Sequence, residues 1–391
     1  MTIDSLKVLI VDDNDAYRDF LVEVVDAIEG AEVVGTAYNG RVALIRLKQL
    51  PVDLVLMDIE MPLMDGLEAL DKIRELYPEV GVVMVSAFYQ DGADKVIKAL
   101  EMGALDFVSK GGMGENHGSV VALRRRLITL MGLFRARRQA RLTRRMAGEP
   151  ASRSRASVNV KSEEPGTEAH ETGSIVETVR PALTQLRPLM GHTRVEAVAI
   201  GVSTGGPNAL ARIIPQLPAD LGVPVFLVQH MPADLTASLA DSLDKKSMIC
   251  VREAADRMEV VSNTVYLAPG GKHMIVTRSR NPSAPPAARW IRLLNDPPVN
   301  SCRPSVDVLF SSIAEVYEGA ILAVVMTGMG SDGAEGVRLL KRKSCYCMTQ
   351  TEDTCVVYGM PRVVDEAGLS DERVTLEQMA DRIVEHTRGR R

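Results

Sequence analysis

Aromatic side chains make up only 4% of this chain of 391 residues, and there is one tryptophan. So few rings argue against a surface that stacks on single-stranded nucleic acid. No apolar run reaches the ~18 residues of a membrane span. The N-terminus turns apolar at once and then acidic at Asp12 and Asp13, with no basic leader or small-residue cleavage site, so a secretory signal is not expected. Cysteine is scarce and odd in number: positions 250, 302, 345, 347 and 355, with no C-x-x-C pair. That pattern excludes a disulfide framework and fits reduced thiols of the cytoplasm. Charge of neither sign dominates; the net of −5 gives no general pull toward nucleic acid or acidic membranes.

Hydrophobic residues at 46% and charged residues at 25% describe ordinary globular material, enough for two or three domains. Residues 6–11, 31–38, 53–57, 80–85 and 105–108 read as strands. Helical periodicity over 15–29, 40–50, 66–77 and 91–102 alternates with them. Such alternation predicts a doubly wound parallel sheet covered on both faces, over residues 5–125. From Arg124 to Arg155 there are eleven arginines and a single acidic residue, Glu149. The segment 126–192 reads as an Arg-rich helix extension and then a flexible linker poor in large aliphatics, with a short helix at 175–192. A second α/β pattern over 193–388 predicts a mostly parallel sheet. Its strands are expected at 196–202, 224–229, 248–252, 264–268, 273–277, 291–294, 320–326 and 356–357. Helices are expected at 207–216, 234–243, 305–317, 333–341 and 375–386, and some antiparallel pairing around 264–294.

In the first domain, Asp12 and Asp13 end the first strand and Asp58 ends the third. The carboxyl ends of parallel strands meet at one edge, where ligands bind. Three carboxylates there repel one another unless a hard cation such as Mg²⁺ lies between them. Ser86 ends the fourth strand and Lys110 follows the fifth, adding a hydroxyl and an ammonium suited to a phosphoryl group. Each Asp alone reads equally as a helix cap.

Taken together, Val11-Asp-Asp-Asn14, Leu56-Met-Asp-Ile-Glu-Met-Pro62, Asp65-Gly66, Val85-Ser-Ala87 and Asp106-Phe-Val-Ser-Lys110 resemble the receiver domain of two-component response regulators. The resemblance implies that Asp58 is the phosphoacceptor and a histidine kinase the donor. It implies Mg²⁺ held by Asp12, Asp13, Asp58 and the backbone carbonyl of Glu60. Ser86 and Phe107 match the switch hydroxyl and aromatic, and Lys110 the phosphate-binding lysine. Gly111-Gly112 departs from the proline usual after that lysine.

In the second domain an apolar run ends in Gly201-Val-Ser-Thr-Gly-Gly-Pro207. Glycines flanking Ser203 allow a sharp strand-to-helix turn that exposes its hydroxyl, and Pro207 suits a first helical turn. The same turn alone would also suit phosphate binding. A serine nucleophile needs a base, and the base an orienter. His230 ends the apolar run Phe226-Leu-Val-Gln-His230, and Asp332 lies in the glycine-rich Met326-Thr-Gly-Met-Gly-Ser-Asp-Gly333. By themselves, His230 fits a packed histidine and Asp332 a helix cap. The order Ser, His, Asp differs from that of the common α/β-hydrolases.

Ala199-Ile-Gly-Val-Ser-Thr-Gly-Gly-Pro207, Val228-Gln-His-Met-Pro232, Tyr266-Leu-Ala-Pro-Gly-Gly-Lys-His-Met274, Arg303-Pro-Ser-Val-Asp307, Met326–Gly333 and Tyr358-Gly-Met-Pro361 resemble the catalytic domain of chemotaxis protein-glutamate methylesterases. The resemblance implies hydrolysis of glutamate γ-methyl esters on the cytoplasmic helices of chemoreceptors, with deamidation of receptor glutamines as a frequent second activity. It makes Ser203, His230 and Asp332 catalytic. Thr204 and Met329 match positions lining the site, and the Met329 N–H an oxyanion donor. No cofactor is implied for ester hydrolysis. Cys302 stands where an aromatic is frequent, and Gly271 replaces a usual acidic residue; neither is expected to touch the triad. The unphosphorylated receiver is expected to cover the Ser203 cleft. Against this stand a non-enzymatic regulator and a DNA-binding regulator. The first leaves three triad residue types in their motif contexts unexplained, and the second has no helix-turn-helix pattern.

Overall fold

The computed structural model describes residues 5–86, 92–110, 124–125, 127–132, 134, 195–278 and 288–388. The linker, the helix expected at 175–192, most of the Arg-rich stretch and Gly111-Gly112 lie outside the described residues.

The N-terminal part alternates β1 (Leu6–Val11), α1 (Asp15–Asp26), β2 (Ala31–Ala37), α2 (Gly40–Gln49), β3 (Leu54–Asp58), α3 (Gly66–Leu76), β4 (Gly81–Ser86), α4 (Ala93–Glu101) and β5 (Asp106–Ser109). The five strands form one sheet in the order β2-β1-β3-β4-β5, and every pair is parallel. Strands such as Leu54-Val-Leu-Met-Asp58 are buried along their length, as a sheet covered on both faces requires. The first three helices start where short polar side chains cap them: Asn14 accepts from the Tyr17 N–H, Asn39 from the Val42 N–H and Asp65 from the Glu68 N–H. One face packs on α1 and on Leu127 and Leu130; the other packs on α2, α3 and α4.

The C-terminal part contains β6 (Val195–Val202), α5 (Gly206–Ile213), β7 (Val225–Gln229), α6 (Ala233–Lys246), β8 (Cys250–Glu253), β9 (Thr264–Leu267), β10 (His273–Arg278) and β11 (Arg289–Leu294). It continues with α7 (Val306–Val316), β12 (Ala320–Val325), α8 (Ala334–Lys341), β13 (Cys345–Gln350), α9 (Met360–Glu366), β14 (Glu372–Val374) and α10 (Leu376–Arg388). Seven strands form a sheet in the order β14-β13-β12-β6-β7-β9-β8, parallel throughout. The antiparallel content is a separate ribbon of β10 and β11. Both parts are therefore parallel-sheet α/β, as expected from the sequence.

Two local expectations are corrected, and elements not expected from the sequence, β13 and α9 among them, are present. Residues 356–357 are not a strand; the backbone there makes only an isolated bridge from Gly328 to Tyr358. β13 went unread because Cys345-Tyr-Cys-Met-Thr-Gln350 has no aliphatic run, although five of its six positions are buried. α9 is too short, at seven residues, to show helical periodicity. The helix expected over 207–216 stops at Ile213 and tightens into a 3₁₀ turn at Ile214–Gln216, which contains Pro215.

Candidate functional site

The switch point of the second sheet lies at β6, flanked by β7 on one side and β12 on the other. Chains leaving these three strands open a crevice at the carboxyl edge. Ser203 is the first residue beyond β6 and His230 the first beyond β7, and their predecessors Val202 and Gln229 are register partners. The His230 N–H donates to Val202 O at 3.2 Å. Gln229 ties the two ends together: its amide donates to Ser203 O at 3.0 Å and His230 O at 3.1 Å.

The turn after Ser203 needs glycine. Gly205 has φ +78°, and α5 begins immediately beyond it with Pro207 in its first turn. Across the crevice, the Ser203 N–H donates to Thr327 O at 3.0 Å. A Cβ on Gly328 would lie 2.7 Å from the Ser203 Cβ, so the loop after β12 can close on the serine only with glycine there. Among the described residues, the Ser203 hydroxyl makes no hydrogen bond to another side chain.

His230 Nε2 lies 2.8 Å from Asp332 Oδ2. Asp332 is 2% exposed and is surrounded by donors. Oδ1 accepts from Ser305 Oγ at 2.8 Å, Asn300 Nδ2 at 3.0 Å and the Asp307 N–H at 3.2 Å; Oδ2 also accepts the Val306 N–H at 2.6 Å. The carboxylate thus sits against the N-terminus of α7, where unpaired N–H groups favour negative charge. Burial pushes the Asp332 carboxyl up, but His230, Asn300 and Val306 outweigh it and hold it at about 2. Burial pushes the His230 imidazole down, yet Asp332 and Cys302 overcome that and raise it to about 9.

Cys302 corrects the expectation that it would stand clear of these residues: its Sγ lies 3.5 Å from His230 Nδ1. A hydrogen-bonding partner 72 positions away leaves no mark in local spacing. Asn300, Ser305 and Gln229 were also not singled out, although Ser305 and Gln229 lie inside motifs already noted. Thr204 and Met329 line the same cleft, of about 1140 Å³, with Ser203, His230 and Cys302. Thr204 is buried and its carbonyl accepts from Thr327 Oγ1 at 2.9 Å, whereas Met329 is 43% exposed. Gly271 also lines this cleft.

The first sheet changes direction between β1 and β3, and there Asp12, Asp13 and Asp58 bring carboxylate oxygens within 4.8 Å of one another. Lys110 Nζ reaches both Asp12 and Asp58 at 2.6 Å. It also stands 4.8 Å from the centre of the Tyr17 ring, a contact not foreseen. Burial raises Asp58, with Lys110 acting against it and Asp12 with it. Such a cluster, all hard oxygen, fits a small divalent cation. Ser86 is buried at the end of β4 and its carbonyl accepts the Lys110 N–H at 2.7 Å. Phe107 is buried in β5. The Glu60 side chain turns away to pair with Lys95.

The two sheets belong to parts of the chain that touch through α4. Glu101, the last residue of α4, accepts Ser242 Oγ at 2.7 Å and Lys246 Nζ from α6, while its carbonyl accepts from Asn208 of α5 at 2.6 Å. Leu100, Leu105, Asp106 and Phe107 line the cleft that holds Ser203. The receiver-type sheet therefore places its α4–β5 edge over the serine.

A receiver-type sheet packed beside a second parallel sheet that gathers Ser203, His230 and Asp332 at its carboxyl edge is the outline of a two-domain α/β hydrolase, and comparison with known proteins gives it a family. Residues 8–116 match the response regulator receiver domain and residues 198–383 match CheB methylesterase. A protein-glutamate methylesterase/protein-glutamine glutaminase of Desulfotalea psychrophila is 40% identical over 98% of both chains. One from Trichodesmium erythraeum is 36% identical over 97% of this chain and 98% of its own. The solved catalytic domain of Thermotoga maritima CheB methylesterase is 37% identical and covers 49% of this chain and 98% of its own, with a TM-score of 0.46. The chain belongs to the protein-glutamate methylesterase/protein-glutamine glutaminase family. No helix among the described residues is long and apolar enough to cross a membrane.

Proposed function

We propose that this enzyme hydrolyses glutamate γ-methyl esters, and deamidates glutamines, on methyl-accepting chemotaxis receptors, and that phosphorylation of Asp58 activates it. The observation that carries the reading is the 2.8 Å contact of His230 with a buried carboxylate, on the strand end beside Ser203.

Ser203 is the nucleophile, His230 the general base and Asp332 the orienter. Ser203 Oγ attacks the ester carbonyl while its proton passes to His230. The tetrahedral oxyanion lies near the Met329 loop, whose glycines let backbone N–H groups approach. The C–O bond to methoxide then breaks, His230 returns the proton, and methanol leaves a glutamyl ester on Ser203. Water, deprotonated by the same imidazole, repeats the sequence and frees glutamate and the serine. A glutamine side chain follows the same course with ammonia as leaving group. Thr204 borders the crevice and shapes it.

In the receiver, Asp12, Asp13, Asp58 and the Glu60 carbonyl would hold Mg²⁺, which supplies charge neutralisation during phosphoryl transfer. Asp58 accepts the phosphoryl group from a histidine kinase, Lys110 pairs with it, and Ser86 and Phe107 respond to it. The contact of Glu101 with α6 supports a closed resting state in which the receiver hinders receptor helices from reaching Ser203. The domain limits we favour are 5–125 for the receiver and 193–388 for the esterase, in the cytoplasm.

Methanol release from methylated receptor membranes tests the reading. It should stop with Ser203→Ala and rise with a phosphodonor such as acetyl phosphate. Full release by a folded Ser203→Ala protein would overturn it.

A further inference from the structure

An imidazole has two nitrogens, and here both are engaged. Nε2 is held by Asp332, so Nδ1 is the nitrogen left to receive the proton of Ser203. Nδ1 instead faces Cys302 Sγ at 3.5 Å, a distance suited to the larger sulfur atom.

The thiol is fixed in place. Cys302 and Val299 exchange backbone hydrogen bonds, N to O at 2.8 and 3.1 Å. The two residues between them, Asn300 and Ser301, both have left-handed φ, at 52° and 61°. That is a tight two-residue turn. Asn300, at its tip, donates to Asp332, and Ser305, three residues past Cys302, does the same. One short segment thus grips both partners of His230. Of the other cysteines, Cys345, Cys347 and Cys355 are buried, and Cys250 lies against Arg252.

We propose that Cys302 is a positioning residue for the esterase: its sulfur holds Nδ1 of His230 in the resting enzyme and yields it to Ser203 when substrate fills the cleft. The inference rests on the assignment of Ser203 and His230 above. Sulfur is a weak hydrogen-bonding partner, so it can orient the ring yet be displaced by a hydroxyl. A protonated ring donates to Asp332 through Nε2 and to Cys302 through Nδ1, which is why burial fails to depress the imidazole. Asp332 and Cys302 are the titratable groups that face it, with Asp307 one step behind through Asp332.

The test uses the full chain with isotopically labelled histidine. The His230 titration is followed by NMR alongside the pH dependence of kcat/KM for methanol release. With Cys302→Ala the midpoint and the acid limb should both move down by about half a unit or more, equivalent to about a threefold rise in kcat/KM at neutral pH. Cys302→Ser, which keeps a hydrogen-bonding group, should recover part of the shift. An unchanged His230 midpoint in the folded Ala variant would overturn the proposal, as would an equal loss of kcat at every pH. If Ser203→Ala still releases methanol, the serine assignment fails, while the NMR titration still decides whether Cys302 holds the ring.

Discussion

Asp332 presents one oxygen, Oδ2, to two partners: His230 Nε2 at 2.8 Å and the Val306 N–H at 2.6 Å. The Asp332 carboxylate is thereby fastened to the start of α7. Asp332→Asn puts an amide where two donors point and disfavours the productive tautomer of His230. Turnover should fall about 10⁴-fold by analogy with serine triads. Asp332→Ala should also destabilise the fold by about 3 kcal/mol, because several buried donors lose their acceptor. Steady-state kinetics and denaturant unfolding separate the two effects.

The imidazole sets opposite pH trends for activity and stability. His230 is raised to about 9 in the folded enzyme, and the base acts only when neutral. We expect kcat/KM to climb from neutral pH through about 9. A raised histidine stabilises the folded state in its charged form, fully below the unfolded value near ~6.5. That contribution should fade as pH rises through about 9. A profile flat from pH 6 to 9 would contradict this.

Glu101 joins the domains, and reversing its charge sets a lysine against Lys246. Glu101→Lys should raise methanol release without a phosphodonor roughly fivefold or more, within the usual range of coupling between sites. The further stimulation by acetyl phosphate should shrink to match. An unaltered basal rate would separate this contact from regulation.

Asp58→Asn keeps the shape of the acidic edge but removes the carboxylate that we propose is phosphorylated. Phosphoryl incorporation, followed with labelled acetyl phosphate, should vanish. Ester hydrolysis should remain at its unstimulated level with Mg²⁺ and phosphodonor present.

Much of this was legible because β1, β3, β4, β6 and β7 are apolar runs that end in, or are followed at once by, a chemically distinctive residue, while β12 is followed by a glycine-rich loop that carries Asp332. A parallel sheet brings such ends together, so the sequence alone puts Asp12 and Asp58, or Ser203 and His230, on one edge. β13 was missed because position, more than composition, buries Cys345 and Cys347. The donors around Asp332 and the contact of Cys302 with His230 depend on how the segment 299–307 folds back over the crevice. Nothing in the local spacing of those residues encodes that path, and glycine at 328 showed only that the loop could come close.

The order of the seven strands has a temporal consequence. β12 lies beside β6 although more than a hundred residues separate them. His230 precedes Asp332 by 102 positions, so the two meet only once β12 has paired with β6. Long-range pairing of this kind is slow to form. A chain in which β12 has not yet docked on β6 therefore leaves His230 without its carboxylate partner.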